Sequence, residues 1–275
     1  MVTVPVEEYL RPAMMPTIWC PGCGHGIIMN AVLRAIARLE IPKDDICVVS
    51  GIGCASRAPG YLDFNTLHTT HGRALAFATG IKVANPKLRV IVLTGDGDAA
   101  AIGGNHLIHA ARRNLGITTV CFNNSIYGMT SGQYSPMTPS GRLGTTAPYG
   151  NVERNFDLCD LVRACGANYV ARATTAHPRQ LSTYVEHALT TPGFAFVEAV
   201  TQCPTYFGRK NRLGGPVELI EWFKKNSITV AAAAKLDPAD LAGKIIIGEF
   251  HRGDAPDYSE LYAKVIQRAK EAAGK

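Results

Sequence analysis

The chain has 275 residues, 47% of them hydrophobic and 18% charged, and carries a formal net charge of +6. That balance describes an ordinary globular protein, large enough for one α/β domain or two small ones. No run reaches the roughly eighteen apolar residues of a membrane span. Glu7 and Glu8 stand where a secretory signal needs an apolar core, and the scattered Lys and Arg form no stripe for nucleic acid. The expectation is a cytoplasmic protein without membrane or nucleic-acid partners.

The first marked feature is Trp19-Cys20-Pro21-Gly22-Cys23-Gly24, a tight Pro-Gly turn carrying two thiols at CxxC spacing. An apolar run over 46–50 reads as a buried strand and leads through Gly51-Ile52-Gly53 to Cys54. His68-Thr69-Thr70-His71-Gly72-Arg73 then opens a helical run over 74–83. Two histidines three apart are more often structural than ligands. Gly-Arg at a helix start suggests anion recognition instead, which assigns His71 and Arg73 to a pocket.

The chain is organised around residues 90–139. A β-branched run over 90–94 ends in Gly95-Asp96-Gly97-Asp98, and a second run over 118–122 ends in Asn123-Asn124. The Ala-rich stretch over 99–114 has helix length and composition, although Gly103 and Gly104 should cost about 1 kcal/mol each relative to alanine. Strand, helix and parallel strand make a βαβ unit. Asp96 and Asn124 then emerge at the carboxyl edge of one sheet, where open α/β sheets bind ligands. Their oxygens suit a hard cation such as Mg²⁺, and the free N–H groups of the following helix suit phosphate. A diphosphate bound through a metal is the implied ligand. The polar, glycine-rich loop over 125–139 has neither helical nor strand period. Long loops of this kind are usually functional or disordered, and its origin at the metal edge favours function, with the Ile126 carbonyl completing the metal shell.

Further on, the pattern predicts a helix over 158–165, a strand over 168–171, a helix over 178–190 and a strand over 194–200, followed by Cys203. No β/α repeat is visible from Tyr206 onward; helices over 216–226 and 258–273 should pack on the core or on a partner. The division expected is a doubly wound, mostly parallel α/β domain over 1–205 with an extension over 206–275. Among the eight cysteines, Cys47 and Cys121 fall in strands and Cys159 and Cys165 in a helix, the contexts of packing thiols. Cys20, Cys23, Cys54 and Cys203 lie instead in a turn or just after strands. One local pair plus two distant singles favours a [4Fe–4S] cluster, with zinc or free thiols as the alternatives.

Gly-Asp-Gly followed, twenty-eight residues after Asp96, by the second Asn of Asn-Asn resembles thiamin diphosphate enzymes. The wider set is more specific: Cys20-Pro-Gly-Cys23-Gly, Gly53-Cys54, His71-Gly-Arg-Ala, Gly95-Asp-Gly-Asp98, Gly-Gly-Asn105-His106, Asn123-Asn124 and Tyr127-Gly-Met-Thr. Together these resemble the β subunit of 2-oxoacid:ferredoxin oxidoreductases, over nearly the whole chain. Gln202-Cys203-Pro204-Thr205-Tyr206 and Gly208-Arg209-Lys210-Asn211 resemble the 2-oxoglutarate type in particular.

The resemblance implies a thiamin diphosphate-binding fold with a [4Fe–4S] cluster on Cys20, Cys23, Cys54 and Cys203, and Mg²⁺ on Asp96, Asn124 and the Ile126 carbonyl. Gly53-Cys54, His71 and Gly95-Asp96-Gly97-Asp98 would meet the cofactor from one side, and Asn124 with Ile126-Tyr127-Gly128-Met129-Thr130 from the other. It further implies coenzyme A-dependent oxidative decarboxylation of a 2-oxoacid, 2-oxoglutarate above all, to an acyl-CoA and CO₂, or the reverse. Electrons would leave through the cluster to ferredoxin, an acidic carrier that the positive net charge suits. His71 and Arg73 are the candidates for contacting substrate or cofactor. An α subunit would supply the aminopyrimidine half of the site and its activating glutamate; γ and δ subunits are left open. Pyruvate and branched-chain 2-oxoacids are the alternative substrates. A non-redox thiamin decarboxylase or carboligase would leave the cysteines unexplained. A zinc-stabilised or electron-transfer assembly subunit would leave the Asp96–Asn124 spacing unexplained.

Overall fold

The apolar runs become strands because each is rich in β-branched side chains that pack on both faces of a sheet. The computed structural model describes residues 5–274, so the outermost ends of the two expected segments, 1–4 and Lys275, lie outside the described residues. In chain order the elements are α1 (His25–Arg38), β1 (Ile46–Ser50), α2 (Ala58–Tyr61), β2 (Asn65–His68), α3 (Ala74–Ala84) and β3 (Arg89–Gly95). Next come α4 (Gly104–Arg112), β4 (Ile117–Asn123), α5 (Leu158–Ala164), β5 (Tyr169–Thr174), α6 (Pro178–Thr190) and β6 (Ala195–Val200). The extension adds α7 (Pro216–Asn226), β7 (Ser227–Thr229), α8 (Val230–Ala233), β8 (Ile245–Arg252) and α9 (Tyr258–Ala273).

All eight strands form one sheet in the order β2-β1-β3-β4-β6-β5-β8-β7. Every pairing among β1 to β6 is parallel. β8 joins antiparallel to β5, with a bulge between Val170 and Ala171, and β7 pairs parallel to β8. The extension therefore continues the sheet. A bulged, antiparallel addition leaves no β/α repeat for the sequence to display.

Each face of the sheet buries its own apolar cluster. On one side Ile28, Leu33 and Ile36 of α1 and Leu181 and Val185 of α6 meet Val48, Leu93, Val120 and Val197. On the other, Leu75, Leu107 and Leu158 from α3, α4 and α5 meet Val49, Val92, Cys121 and Phe196. Each fully buried aliphatic or aromatic side chain contributes about 1.5–3 kcal/mol. The helix expected over 99–114 is interrupted: a π-turn over Asp98–Ile102 gives way at Gly103 to α4. Such turns often mark functional sites. No described helix is long and apolar enough to cross a membrane.

Parallel pairing sends the carboxyl ends of β1, β2, β3, β4 and β6 to one edge. From them hang Cys54, His71, Asp96, Asn124 and Cys203. Between β4 and α5, residues 124–157 hold neither a helix nor a named strand, only the isolated bridge Tyr127–Gln133.

Candidate active site at the carboxyl edge

Asp96, 2% exposed, and Asn124, 6% exposed, face one another across the ends of β3 and β4. One Asn124 side-chain atom lies 2.6 Å from the Ile126 carbonyl oxygen and 3.1 Å from Asp96 Oδ1. An amide nitrogen in that place would donate to both. The carbonyl oxygen in that place accepts from the Ile126 N–H at 3.3 Å and brings three oxygens from three residues together. A hard cation reconciles three such acceptors. Ser135 Oγ donates to the other carboxylate oxygen, Asp96 Oδ2, at 2.5 Å. Burial nonetheless pushes the Asp96 pKa up to about 7, against the bonds from Ser135 and nearby backbone N–H groups. Among the described residues no side-chain cation pairs with it, which is the condition expected of a carboxylate kept for a metal.

A cavity of about 180 Å³ opens beside this set. His25, Ile52, Cys54, Asp96, Asn124, Tyr127 and Met129 line it. Gly53, His71, Gly95, Gly97, Asp98, Ile126, Gly128 and Thr130 complete the wall, so the cofactor-contacting residues expected from the sequence are brought together. Arg73 is the exception. Its guanidinium donates to the carbonyls of Ile102 and Gly72 at 3.0 and 3.3 Å, tying the α3 start to the π-turn, and it does not line the cavity. The expected pocket role of Arg73 is replaced by this anchoring role.

Asp98, which lines the cavity as expected, is also bonded within the chain. Its Oδ1 accepts from the Gly72 N–H at 2.6 Å and the Ile52 N–H at 3.3 Å, and its Oδ2 from Thr94 Oγ1 at 2.7 Å. His71 Nδ1 lies 2.7 Å from Oδ1 without making a hydrogen bond. Asp98 therefore fastens the loops after β1 and β2 to β3 and fixes His71 at the cavity wall. Thr130 is engaged too, donating to Gln133 Oε1 at 2.6 Å.

The four edge thiols are drawn together by stitches between loops. Trp19 Nε1 donates to the Cys54 carbonyl at 2.8 Å, and Gln202 Nε2 to the Gly22 carbonyl at 3.0 Å. Gly24 is needed for the second stitch: a Cβ there would lie 2.2 Å from Thr201 Oγ1. Gly128 sits where thiols and oxygens meet. A Cβ on it would stand 3.3 Å from Cys54 Sγ, 3.9 Å from Cys203 Sγ and 3.6 Å from Asn124 Nδ2. Burial first, and then the neighbouring thiolates, push the Cys23 thiol up to about 12 and the Cys54 thiol up to about 11. Burial likewise raises Cys203. Cys20 is exposed. Among the described residues, no three His, Cys, Asp or Glu side chains close on one point as around a single ion.

Two site residues escaped the sequence reading. Ser135 lies thirty-nine positions from the carboxylate it bonds, and no local pattern links them. His25 follows the CxxC turn directly. It is 1% exposed, its Nδ1 lies 3.2 Å from Cys23 Sγ, and burial lowers its pKa to about 3.

Residues 51–199 match the family described as thiamine pyrophosphate enzyme, C-terminal TPP binding domain. The 2-oxoglutarate synthase subunit KorB of Methanothermobacter marburgensis is 56% identical, over 98% of this chain and 94% of its own length. KorB of Methanocaldococcus jannaschii is 52% identical over 97% and 98%. This chain belongs to the β subunits of 2-oxoacid:ferredoxin oxidoreductases. A solved structure, 2-oxoglutarate:ferredoxin oxidoreductase from Magnetococcus marinus with 2-oxoglutarate, coenzyme A and succinyl-CoA bound, is 36% identical. It aligns with a TM-score of 0.86 over 98% of this chain and 92% of that one. Membership makes residues 51–199 a thiamin diphosphate-binding domain, and a β subunit works in an assembly with partner subunits.

Proposed function

We propose that this chain holds the diphosphate half of thiamin diphosphate through Mg²⁺, and a [4Fe–4S] cluster, in a 2-oxoglutarate:ferredoxin oxidoreductase. The reading comprises a cofactor-binding unit over 1–205 and a sheet-completing extension over 206–275. One observation carries it: a Cβ on Gly128 would touch Cys54 Sγ, Cys203 Sγ and the Asn124 side-chain amide alike, so the edge thiols and the Asp96–Asn124 pair adjoin one short stretch of backbone. Asp96, Asn124 and the Ile126 carbonyl have the donor chemistry of a Mg²⁺ site. A single zinc draws its ligands to one point, whereas a cluster spreads its cysteines over several irons, which suits one CxxC pair joined by two thiols from separate loops. Substrate and product follow the names of the relatives, 2-oxoglutarate and succinyl-CoA.

When bound, thiamin diphosphate supplies the electron sink for decarboxylation and the cluster one-electron transfer to ferredoxin. This chain's residues orient and enclose. Asp96 brings the negative charge the metal requires, Ser135 fixes the carboxylate's rotation, and Asp98 keeps the Cys54 loop and His71 in register. Tyr127 packs its ring on Gly97 and donates to the Gly97 carbonyl at 3.2 Å, closing the cavity wall.

Activation of the aminopyrimidine is assigned to an α subunit. Glu198 is engaged by Arg172 and Asn123, and Glu153 by the Tyr134 hydroxyl. Among the described residues no glutamate lines the cavity. Exposed Ile52 and Met129 at the cavity, and Tyr149 and Val152 in the long loop, offer the apolar surface a partner would cover. The test is anaerobic purification with metal analysis and thiamin diphosphate titration with and without Mg²⁺. Four irons per chain and Mg²⁺-dependent binding are expected; zinc without iron contradicts the reading.

A further inference from the structure

His25 joins the two halves of the site and belongs to neither expected ligand set. Its ring is wedged between Trp19 and Phe122, with edge-on contacts at 5.7 and 5.2 Å between ring centres. On one side Nδ1 reaches Cys23 Sγ at 3.2 Å; on the other the imidazole lines the cavity with Cys54 and Asp96. A thiolate that binds iron can only accept a hydrogen bond, so Nδ1 must carry the proton. Hydrogen bonds to cluster sulfurs stabilise the electron-rich reduced state and raise the reduction potential.

We propose that His25 is a positioning residue that donates its Nδ1–H to the Cys23 thiolate and so raises the potential of the cluster facing the thiamin diphosphate cavity. The inference rests on the cluster reading above. One electron at a time enters the cluster from the cofactor side and leaves to a one-electron acceptor protein; the imidazole keeps its proton throughout. The donor makes the cluster a better acceptor for electrons from the cavity, and the wedge of Trp19 and Phe122 holds its direction.

The experiment compares the full chain with His25→Phe, which fills the ring space without a donor, and with His25→Gln, which keeps one. Iron content is measured first, and the midpoint potential is then followed by EPR-monitored redox titration. A fall in potential is expected for His25→Phe at full iron content, with His25→Gln closer to the natural chain. In the natural chain labelled with ¹⁵N-histidine, pulsed EPR of the reduced cluster should detect coupling to a histidine nitrogen. That measurement decides the question even where His25→Phe fails to fold. Equal potentials in all three chains, or no ¹⁵N coupling, would overturn the inference while leaving the cluster in place. Absence of iron from the natural chain would overturn the cluster reading itself.

Discussion

Two buried carboxylates flank β4, and the chain treats them oppositely. Glu198, 1% exposed within β6, receives Arg172 Nε at 2.7 Å and Asn123 Nδ2 at 2.7 Å. Arg172 in turn reaches Asp157 at 2.7 Å and lies over the Phe250 ring. Asp96, at the end of β3, receives a serine hydroxyl and faces two further oxygens. The interior carboxylate is thus neutralised by the chain's own cation, whereas the proposed reading gives the edge carboxylate to Mg²⁺. The cysteines divide along the same line. Cys121 and Cys159 are fully buried among side chains, and the Cys159 thiol lies 3.5 Å from Glu198. Cys20, Cys23, Cys54 and Cys203 gather in loops above the edge. On the proposed reading, interior polar groups stabilise the fold, and Asp96 with the four edge cysteines serve cofactors.

If that division is right, edge substitutions remove cofactors and spare stability, and interior ones do the reverse. The largest effect should come from Cys203→Ser, which is expected to abolish the iron signal in anaerobic metal analysis while circular dichroism stays unchanged; full iron retention would place Cys203 outside the ligand set. Arg172→Met strands the buried Glu198 charge. It should cost about 3–5 kcal/mol in chemical denaturation, with thiamin diphosphate affinity close to that of the natural chain. A stable Arg172→Met variant with weakened cofactor binding would reverse the comparison. Asp96→Asn should weaken Mg²⁺-dependent thiamin diphosphate binding by at least about 100-fold, the upper range seen even for outer-shell partners of metals. Calorimetric titration measures this, and unchanged affinity would remove Asp96 from the metal site. Cys159→Ser has the smallest expected effect, about 1 kcal/mol of stability from a buried hydroxyl replacing a soft thiol, with iron content unaltered.

The parallel strands were legible because burial on both faces demands apolar runs, and the run over 46–50 coincides with β1. Asp96 and Asn124 could be placed at one sheet edge because each follows a buried parallel strand, and the structure sets them face to face there. Other features depend on contacts distant in sequence. β7 has three residues and β8 is only partly buried, so their apolar pattern is weak until β5 supplies an edge. α1 begins at His25 after Gly24, which offers no side-chain cap, giving no start signal beyond the CxxC turn. Nor can local pattern tell which of two acids two positions apart faces a ligand. Asp98 is claimed by Gly72, Ile52, Thr94 and His71 only because β1 and β2 lie beside β3. Arg73 shares that limit, since its acceptor at Ile102 exists only once the π-turn forms.

On the function proposed above, this chain carries half of an active site and the whole of a cluster site, so turnover needs a partner. The direct test is steady-state succinyl-CoA formation by the purified, cluster-reconstituted chain with thiamin diphosphate, Mg²⁺, 2-oxoglutarate, coenzyme A and oxidised ferredoxin, before and after adding an α subunit. No steady turnover is predicted for the chain alone, with activity appearing when the partner is added. Sustained succinyl-CoA formation by the chain alone would contradict the account.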